Sequence, residues 1–352
     1  MSKKPISKNI TYIFIAVVIT AIIAIFYPWE KKEWRFSDIV VSPDVNAKVA
    51  IGAPLTIKLN EEKLSEADSV IVRYTGNQAD AKSNFGHTIN TSNLPLGYQT
   101  AEITVHDGKK SKTVSLPFVV TSDINPSSAN FNKLSQIAHD KKSYTQGLEF
   151  SNGILYESTG QYNESTIKKV NHKTGQNIKS VSLASEYFGE GLTILNNKVY
   201  QITWKESTCF VYDEQLNLLK KAGFRTITGE GWGLTNDGTS LIVSDGSNKL
   251  TYVHPETFAV EKIISVFAGP NEVQYLNELE YVDGFIYANI YTTNHIAKLE
   301  AKSGKVIAVY DLSPLKNENQ DGEVLNGIAY NPASKTFFIT GKYWGKMYEV
   351  KL

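Results

Sequence analysis

A short cassette recurs five times at intervals of 42 to 49 residues, each copy followed by a hairpin signal and a second strand, and this repeat predicts a five-bladed β-propeller. Ahead of it, short runs that alternate apolar and polar residues predict an immunoglobulin-like β-sandwich. An uncharged apolar run at the amino end predicts a transmembrane helix. The expected fold class is therefore all-β: cytoplasmic tail (1–9), transmembrane anchor (10–29), immunoglobulin-like β-sandwich (36–123) and five-bladed β-propeller (131–352).

The anchor rests on Ile10 to Tyr27, 18 residues without a charge, preceded by Lys3, Lys4 and Lys8. A cleaved leader would have a shorter apolar core and a small-residue cleavage site. Here the run ends in Phe26-Tyr-Pro-Trp29, an aromatic girdle of the kind found at a membrane interface. The leading lysines place the tail in the cytoplasm and everything after the anchor on the extracytoplasmic side of the cell membrane, although Lys31-Lys32 opposes that orientation. The sandwich rests on runs such as Pro54-Leu-Thr-Ile-Lys-Leu59, Ser69-Val-Ile-Val-Arg-Tyr74 and Gln99-Thr-Ala-Glu-Ile-Thr-Val105, with Asp107-Gly108 as a turn. It is expected to act as a spacer. Residues 122–129, polar and containing a proline, read as a linker.

The five cassettes are Gln146-Gly-Leu-Glu-Phe150, Glu190-Gly-Leu-Thr-Ile194, Trp232-Gly-Leu-Thr-Asn236, Asn277-Glu-Leu-Glu-Tyr281 and Asn326-Gly-Ile-Ala-Tyr330. Each is followed by a turn pair such as Asn152-Gly153 or Asp283-Gly284, then by a second strand. The last copy reaches Leu352 after about three strands, so the fourth must be donated from elsewhere. Asn132 to Ala138 is the natural donor, and this closure would remove a free sheet edge.

Composition narrows the chemistry. Lys plus Arg and Asp plus Glu both total 36, and no basic patch is concentrated anywhere, so nucleic acid is not an expected partner. One cysteine, Cys209, excludes an intrachain disulfide and reads as a small buried residue. Six scattered histidines with that single cysteine make a zinc site unexpected, and no cofactor is implied. There is no Gly-x-Ser-x-Gly and no cassette histidine for a serine hydrolase. Gly229-Glu-Gly-Trp-Gly233 lacks the lysine and helix of a phosphate loop. Glu149, Glu230, Glu278 and Glu280 have the chemistry to hold a hard cation, but they read better as hydrogen-bond partners between blades.

The opening positions of the cassettes, Gln146, Glu190, Trp232, Asn277 and Asn326, should gather at one end of a central channel, joined by Trp204, Tyr291 and Lys342 from the ends of second strands. Tryptophans beside polar groups suit a ligand pocket better than a filled core. A lone carboxylate in such a setting can move a proton, because burial raises its pKa towards the working pH.

Tyr144-Thr-Gln-Gly-Leu, Tyr187-Phe-Gly-Glu-Gly-Leu-Thr, Gln201-Ile-Thr-Trp, Gly229-Glu-Gly-Trp-Gly-Leu, Leu276-Asn-Glu-Leu-Glu-Tyr, Leu325-Asn-Gly-Ile-Ala and Thr340-Gly-Lys-Tyr-Trp resemble the plant and bacterial glutaminyl-peptide cyclotransferases, also called glutamine cyclotransferases. The resemblance covers about Leu134 to Leu352. It implies a five-bladed propeller, independent of zinc, that closes the N-terminal glutamine of peptides and proteins into pyroglutamate with release of ammonia. It further implies that Glu190 carries the proton, with Lys342 as donor to the developing oxyanion. Gln146 and Asn277 would orient the γ-amide. Phe188, Trp204 and Trp232 would wall the glutamine side chain, and Tyr291 stands where the family pattern has a tryptophan, which implies a changed pocket width. Trp344 fits either a rim or a packing position. The alternatives are a non-enzymatic cell-surface propeller that binds peptides or glycans, and a lactonase-like propeller with a channel calcium. The second would need several carboxylates at one height, whereas the opening positions offer Glu190 alone.

Overall fold

The structure is a computed structural model that describes residues 34–108 and 110–352, and strands dominate it. The expected tail and anchor, residues 1–9 and 10–29, lie outside the described residues. Among those described, no helix is long and apolar enough to cross a membrane. The chain divides into two compact units. One holds the described residues up to Asp44 with those of Thr56–His87 and Ala101–Leu116; the other holds Val45–Leu55, Thr88–Thr100 and Pro117–Leu352.

In the stretch 36–123 the strands form two sheets. One is three-stranded, in the order Val40–Ser42, Pro54–Leu59, Gly86–Asn90. The other is five-stranded, in the order Ala47–Ala50, Lys110–Thr121, Gly97–Asp107, Ser69–Tyr74, Asn77–Asp80. Pro54–Leu59 alternates exposed and buried at every residue, as its period-two pattern requires of a strand with one face on a core.

The second unit contains five sheets that follow one another along the chain, each built on four antiparallel strands, with a fifth strand added to the fourth sheet. Sheet one is Thr145–Ser151, Ile154–Thr159, Thr166–Asn171 and Asn177–Ser182, and sheet two is Gly189–Leu195, Lys198–Thr203, Thr208–Asp213 and Leu218–Gly223. Sheet three is Leu234–Asn236, Leu241–Ser244, Lys249–Val253 and Val260–Ser265. Sheet four is Leu276–Val282, Phe285–Ile290, His295–Glu300 and Val306–Asp311. Sheet five is Leu325–Asn331, Thr336–Gly341, Lys346–Lys351 and, from the other end of the unit, Asn132–Ala138. That donated strand pairs antiparallel with the last one, Asn132 opposite Lys351 and Ala138 opposite Lys346.

Turn chemistry sets the hairpins. Asn152 and Gly153 have φ of 50° and 78°, and Asp283 and Gly284 have 49° and 87°, the left-handed pairs of type I′ turns. First strands lie side by side in the order one to five and back to one. None of their residues is exposed, while outer strands such as Asn177–Ser182 are largely exposed. Five apolar clusters fill the five spaces between neighbouring sheets. Leu192, Val199 and Phe210 meet Tyr156 and Ile167 between sheets one and two, and Phe338 and Met347 meet Leu148 and Leu155 between five and one. At about 1.5–3 kcal/mol for each large apolar side chain buried, every such interface stabilises both sheets that share it. Cys209 is buried in the cluster between sheets two and three.

Three elements depart from expectation. Ser127–Ala129, inside the stretch read as a linker, adds a parallel fifth strand to the edge of sheet four, with Ala308 opposite Ser127. Phe267–Ala268 pairs with Asn271–Glu272, and a short helix, Ser313–Asn317, joins sheets four and five. All three are too short to show a periodicity, so no pattern in the chain announces them.

Candidate active site

Antiparallel order puts the start of each first strand beside the end of its second strand. Gln146, Glu190 and Asn277 therefore open the first strands of sheets one, two and four, and Trp232 lies just ahead of Leu234–Asn236. Trp204, Tyr291 and Lys342 each come directly after a second strand. All of these and Phe188 line one cavity of about 230 Å³, together with Tyr144 and Gln161. The eight residues expected from the sequence thus converge. Asn326, the fifth opening position, sits behind the wall and holds Gln146.

The floor is a short polar relay. Asn326 Nδ2 donates to Gln146 Oε1 at 3.2 Å and to the Thr145 carbonyl at 2.9 Å, which fixes the orientation of the Gln146 amide. Gln146 Nε2 then donates to Glu190 Oε1 at 2.8 Å. Glu190 is 5 % exposed, and its Oε2 is buried without a hydrogen-bond partner among the described residues. Burial raises the Glu190 pKa well above the usual carboxylate range; attraction to Lys342 opposes this, and Glu230 and Glu206 reinforce it. Lys342 is 2 % exposed, with its Nζ 4.4 Å from the ring centre of Tyr144 and 4.9 Å from that of Tyr291. Burial brings its pKa down to about 8 against the pull of Glu190 and Glu323. Asn277 Oδ1 is likewise buried and has no partner among the described residues.

The walls are aromatic. Phe188 meets Trp204 edge to face at 5.5 Å, Trp232 meets Tyr291 in the same way at 5.5 Å, and Tyr144 contacts Phe188 at 6.1 Å. Glycines make room for two of these rings, since a Cβ on Gly160 would fall 2.3 Å from Phe188 and one on Gly246 would fall 2.6 Å from Trp232. Three non-glycine residues beside the pocket hold positive φ: Gln161 at 87°, Thr292 at 67° and Tyr343 at 60°. Such backbone costs about 1–3 kcal/mol per residue and collects where side chains must be aimed rather than merely packed.

Behind the Lys342 loop lies a buried ionic cluster. His139 faces Glu157 Oε1 through Nε2 at 2.9 Å and the Trp344 carbonyl through Nδ1 at 2.8 Å, while Lys168 donates to Ser143 and Asp140. The Tyr343 amide donates to the Ser143 carbonyl at 2.8 Å, so the cluster fixes the backbone on both sides of the lysine. Trp344, for which rim and packing positions were both open, is fully buried and donates its indole N–H to the Glu323 carbonyl.

Tyr144 and Gln161 carried no assigned role in the sequence. Gly160, not Gln161, stands where Trp204 stands after the second strand of its sheet, so Gln161 lies one residue past the equivalent position and the repeat did not mark it. The other acidic residues behave as partners between sheets. Glu149 accepts from Thr193, Glu280 from the Tyr330 amide, and Glu278 from the amides of both Leu148 and Ile328. Among the described residues no group of three or more His, Cys, Asp or Glu side chains is arranged to hold a metal ion.

Comparison with known proteins agrees with this geometry. A family model described as glutamine cyclotransferase matches residues 109–352. The glutaminyl-peptide cyclotransferase of Arabidopsis thaliana is 38 % identical over 225 residues, which cover 62 % of this chain and 70 % of that protein. The crystal structure of the Myxococcus xanthus glutaminyl cyclase superposes with a TM-score of 0.59 at 31 % identity, over 64 % of this chain and 98 % of that one. The matched segment spans all five sheets and every residue of the cavity, and the chain belongs to the glutamine cyclotransferase family.

Proposed function

We propose that the protein is a glutaminyl-peptide cyclotransferase that acts on peptides and proteins with N-terminal glutamine, with the five sheets as the blades of a propeller and the cavity as its active site. The observation that carries this reading is the buried Glu190 in the cavity lining, with one oxygen tied to Gln146 and the other without a hydrogen-bond partner among the described residues. Family membership favours the enzyme over a non-enzymatic binding module.

The reaction is an intramolecular aminolysis. The α-amine attacks the carbonyl carbon of its own side-chain amide, a C–N bond forms, and the bond to the amide nitrogen breaks to release ammonia. Because nucleophile and target share one residue, the site has only to hold the chain in its folded-back form, and no covalent intermediate is required. The aromatic walls and the polar floor suit that task. Glu190 takes the proton from the amine and delivers it to the departing nitrogen. An α-amine of pKa about 8 is partly neutral already, so a carboxylate with a raised pKa is a sufficient base. The Lys342 ammonium faces the oxygen as it gains charge, and Asn277 Oδ1 accepts from the amide nitrogen. No step draws on a metal.

Residues 10–29 are read as an anchor, on the strength of their uncharged apolar run and leading lysines, with the enzyme extracytoplasmic and the 36–123 stretch an immunoglobulin-like spacer. Ammonia release from a glutaminyl dipeptide, followed with and without a strong chelator, tests the chemistry. The wild-type chain should turn over in both conditions, and Glu190→Gln should lose about 10²–10⁴-fold in kcat. Absence of turnover in folded wild-type protein would overturn the reading.

A further inference from the structure

Glu230 lies outside the set of residues expected to act, yet it joins two walls of the pocket. Its Oε2 accepts from the indole N–H of Trp204 at 2.9 Å and from that of Trp232 at 2.9 Å. The two tryptophans belong to different sheets, so this one oxygen ties sheet two to sheet three at the mouth of the cavity. We propose that Glu230 is a positioning residue for the cyclisation, a carboxylate clamp that sets the width of the aromatic slot and holds a negative charge beside Glu190.

The clamp is itself held. The Glu230 amide donates to Thr228 Oγ1, its carbonyl accepts from Thr226 at 2.7 Å, and the next amide, that of Gly231, donates to the Trp204 carbonyl at 2.8 Å. Lys205 lies 4.0 Å from Oε1 and 3.8 Å above the Trp204 ring, which closes the outer side. An indole tied by its N–H cannot turn over about the bond to its ring without losing a charge-assisted hydrogen bond. Loss of that bond frees both rings to enter the space a glutamine side chain needs. The charge has a separate effect. Glu230 and Glu206 raise the Glu190 pKa against the opposing pull of Lys342, and Gln146 binds the same carboxylate without a charge.

Two substitutions separate these effects, and the assay depends on the reaction proposed above. In Glu230→Gln the amide oxygen has two lone pairs and can accept from both indoles, but the charge is gone. KM should stay within about twofold of the wild type, while the acidic limb of the kcat/KM profile moves to lower pH. In Glu230→Ala both effects are lost, and KM should rise about tenfold or more, with a smaller change in kcat. An unchanged KM in Glu230→Ala, or equal KM values in the two variants, overturns the clamp; an unmoved acidic limb in Glu230→Gln overturns the electrostatic part. Indole N–H exchange, followed by NMR on the full chain labelled at tryptophan, is a readout free of the reaction. Exchange at Trp204 and Trp232 should be slow in the wild type and fast in Glu230→Ala, and equal rates overturn the clamp. A folded wild-type protein that releases no ammonia overturns the reading of the reaction, and the exchange rates then decide the clamp alone.

Discussion

Burial presses Glu190 and Lys342 towards their neutral forms, and their mutual attraction offsets this only in part. A base that must accept a proton and a donor that must keep one then share a narrow pH window. Turnover should fall below the raised pKa of Glu190 and again above about pH 8, where Lys342 loses its charge. The same lysine leaves a mark on stability. Its pKa drops from 10.5 unfolded to about 8 folded, so between those values the unfolded chain binds the extra proton and stability rises with pH. Relative to Lys342→Met, the wild type should gain up to about 3 kcal/mol over that window. Urea unfolding of both proteins at pH 7.5, 9 and 10.5 measures it, and parallel curves would mean that the lysine is not desolvated. The variant should also lose most of its turnover, so the residue serves the reaction at a cost to the fold.

The strands show why the cassette reads as it does. Its second residue is glycine in four of the five copies, at Gly147, Gly191, Gly233 and Gly327. A Cβ on Gly147 would fall 2.5 Å from the Leu192 nitrogen, and one on Gly191 would fall 2.3 Å from the Leu234 nitrogen. These are backbone atoms of the neighbouring first strand, which cannot give way as a flexible side chain would. Gly191→Ala should therefore destabilise the protein by about 3 kcal/mol, at the upper end of ordinary overpacking, with a matching fall in the midpoint of thermal unfolding. A neutral effect would mean that the first strands have slack. In the fourth copy Glu278 replaces the glycine, and its carboxyl accepts from the Ile328 amide on the neighbouring first strand of sheet five and from the Leu148 amide on that of sheet one. Burial raises its pKa well above the carboxylate range, and those two amides oppose the shift. The departure from the repeat thus fills the centre of the ring.

Closure of that ring depends on seven residues far from the carboxyl end. Asn132–Ala138 completes sheet five, and the cluster between sheets five and one includes Ile137 at its margin. With that strand replaced by a glycine–serine run of equal length, Lys346–Lys351 becomes an open edge. The protein should then lose about 3 kcal/mol or more of stability, from ladder hydrogen bonds worth about 1 kcal/mol each, and should aggregate on warming. Light scattering during a thermal ramp, with urea unfolding beside it, reports both effects. Turnover should fall as well, because Lys342 sits on the same sheet.

Period-two runs, asparagine–glycine turns and the 42–49-residue repeat are local signals, and they announced the strands, the five sheets and the need for a donated closing strand. Seven of the eight pocket residues were legible for a related reason, while Phe188 came from the family resemblance alone. A side chain at the start of a first strand or the end of a second strand in one copy occupies the same end of the sheet in every copy. Partners could not be read in this way. That Glu230 binds two indoles, that Asn326 orients Gln146, that Glu278 serves two distant amides and that Trp344 is buried rather than at the rim all depend on contacts between residues of different sheets. The chain encodes which residues face the ring's mouth through strand period, which is a property of neighbours in sequence. Which of those residues touch, and which titratable groups lose their water, follows from packing around a closed ring, and no periodicity along one strand contains that information.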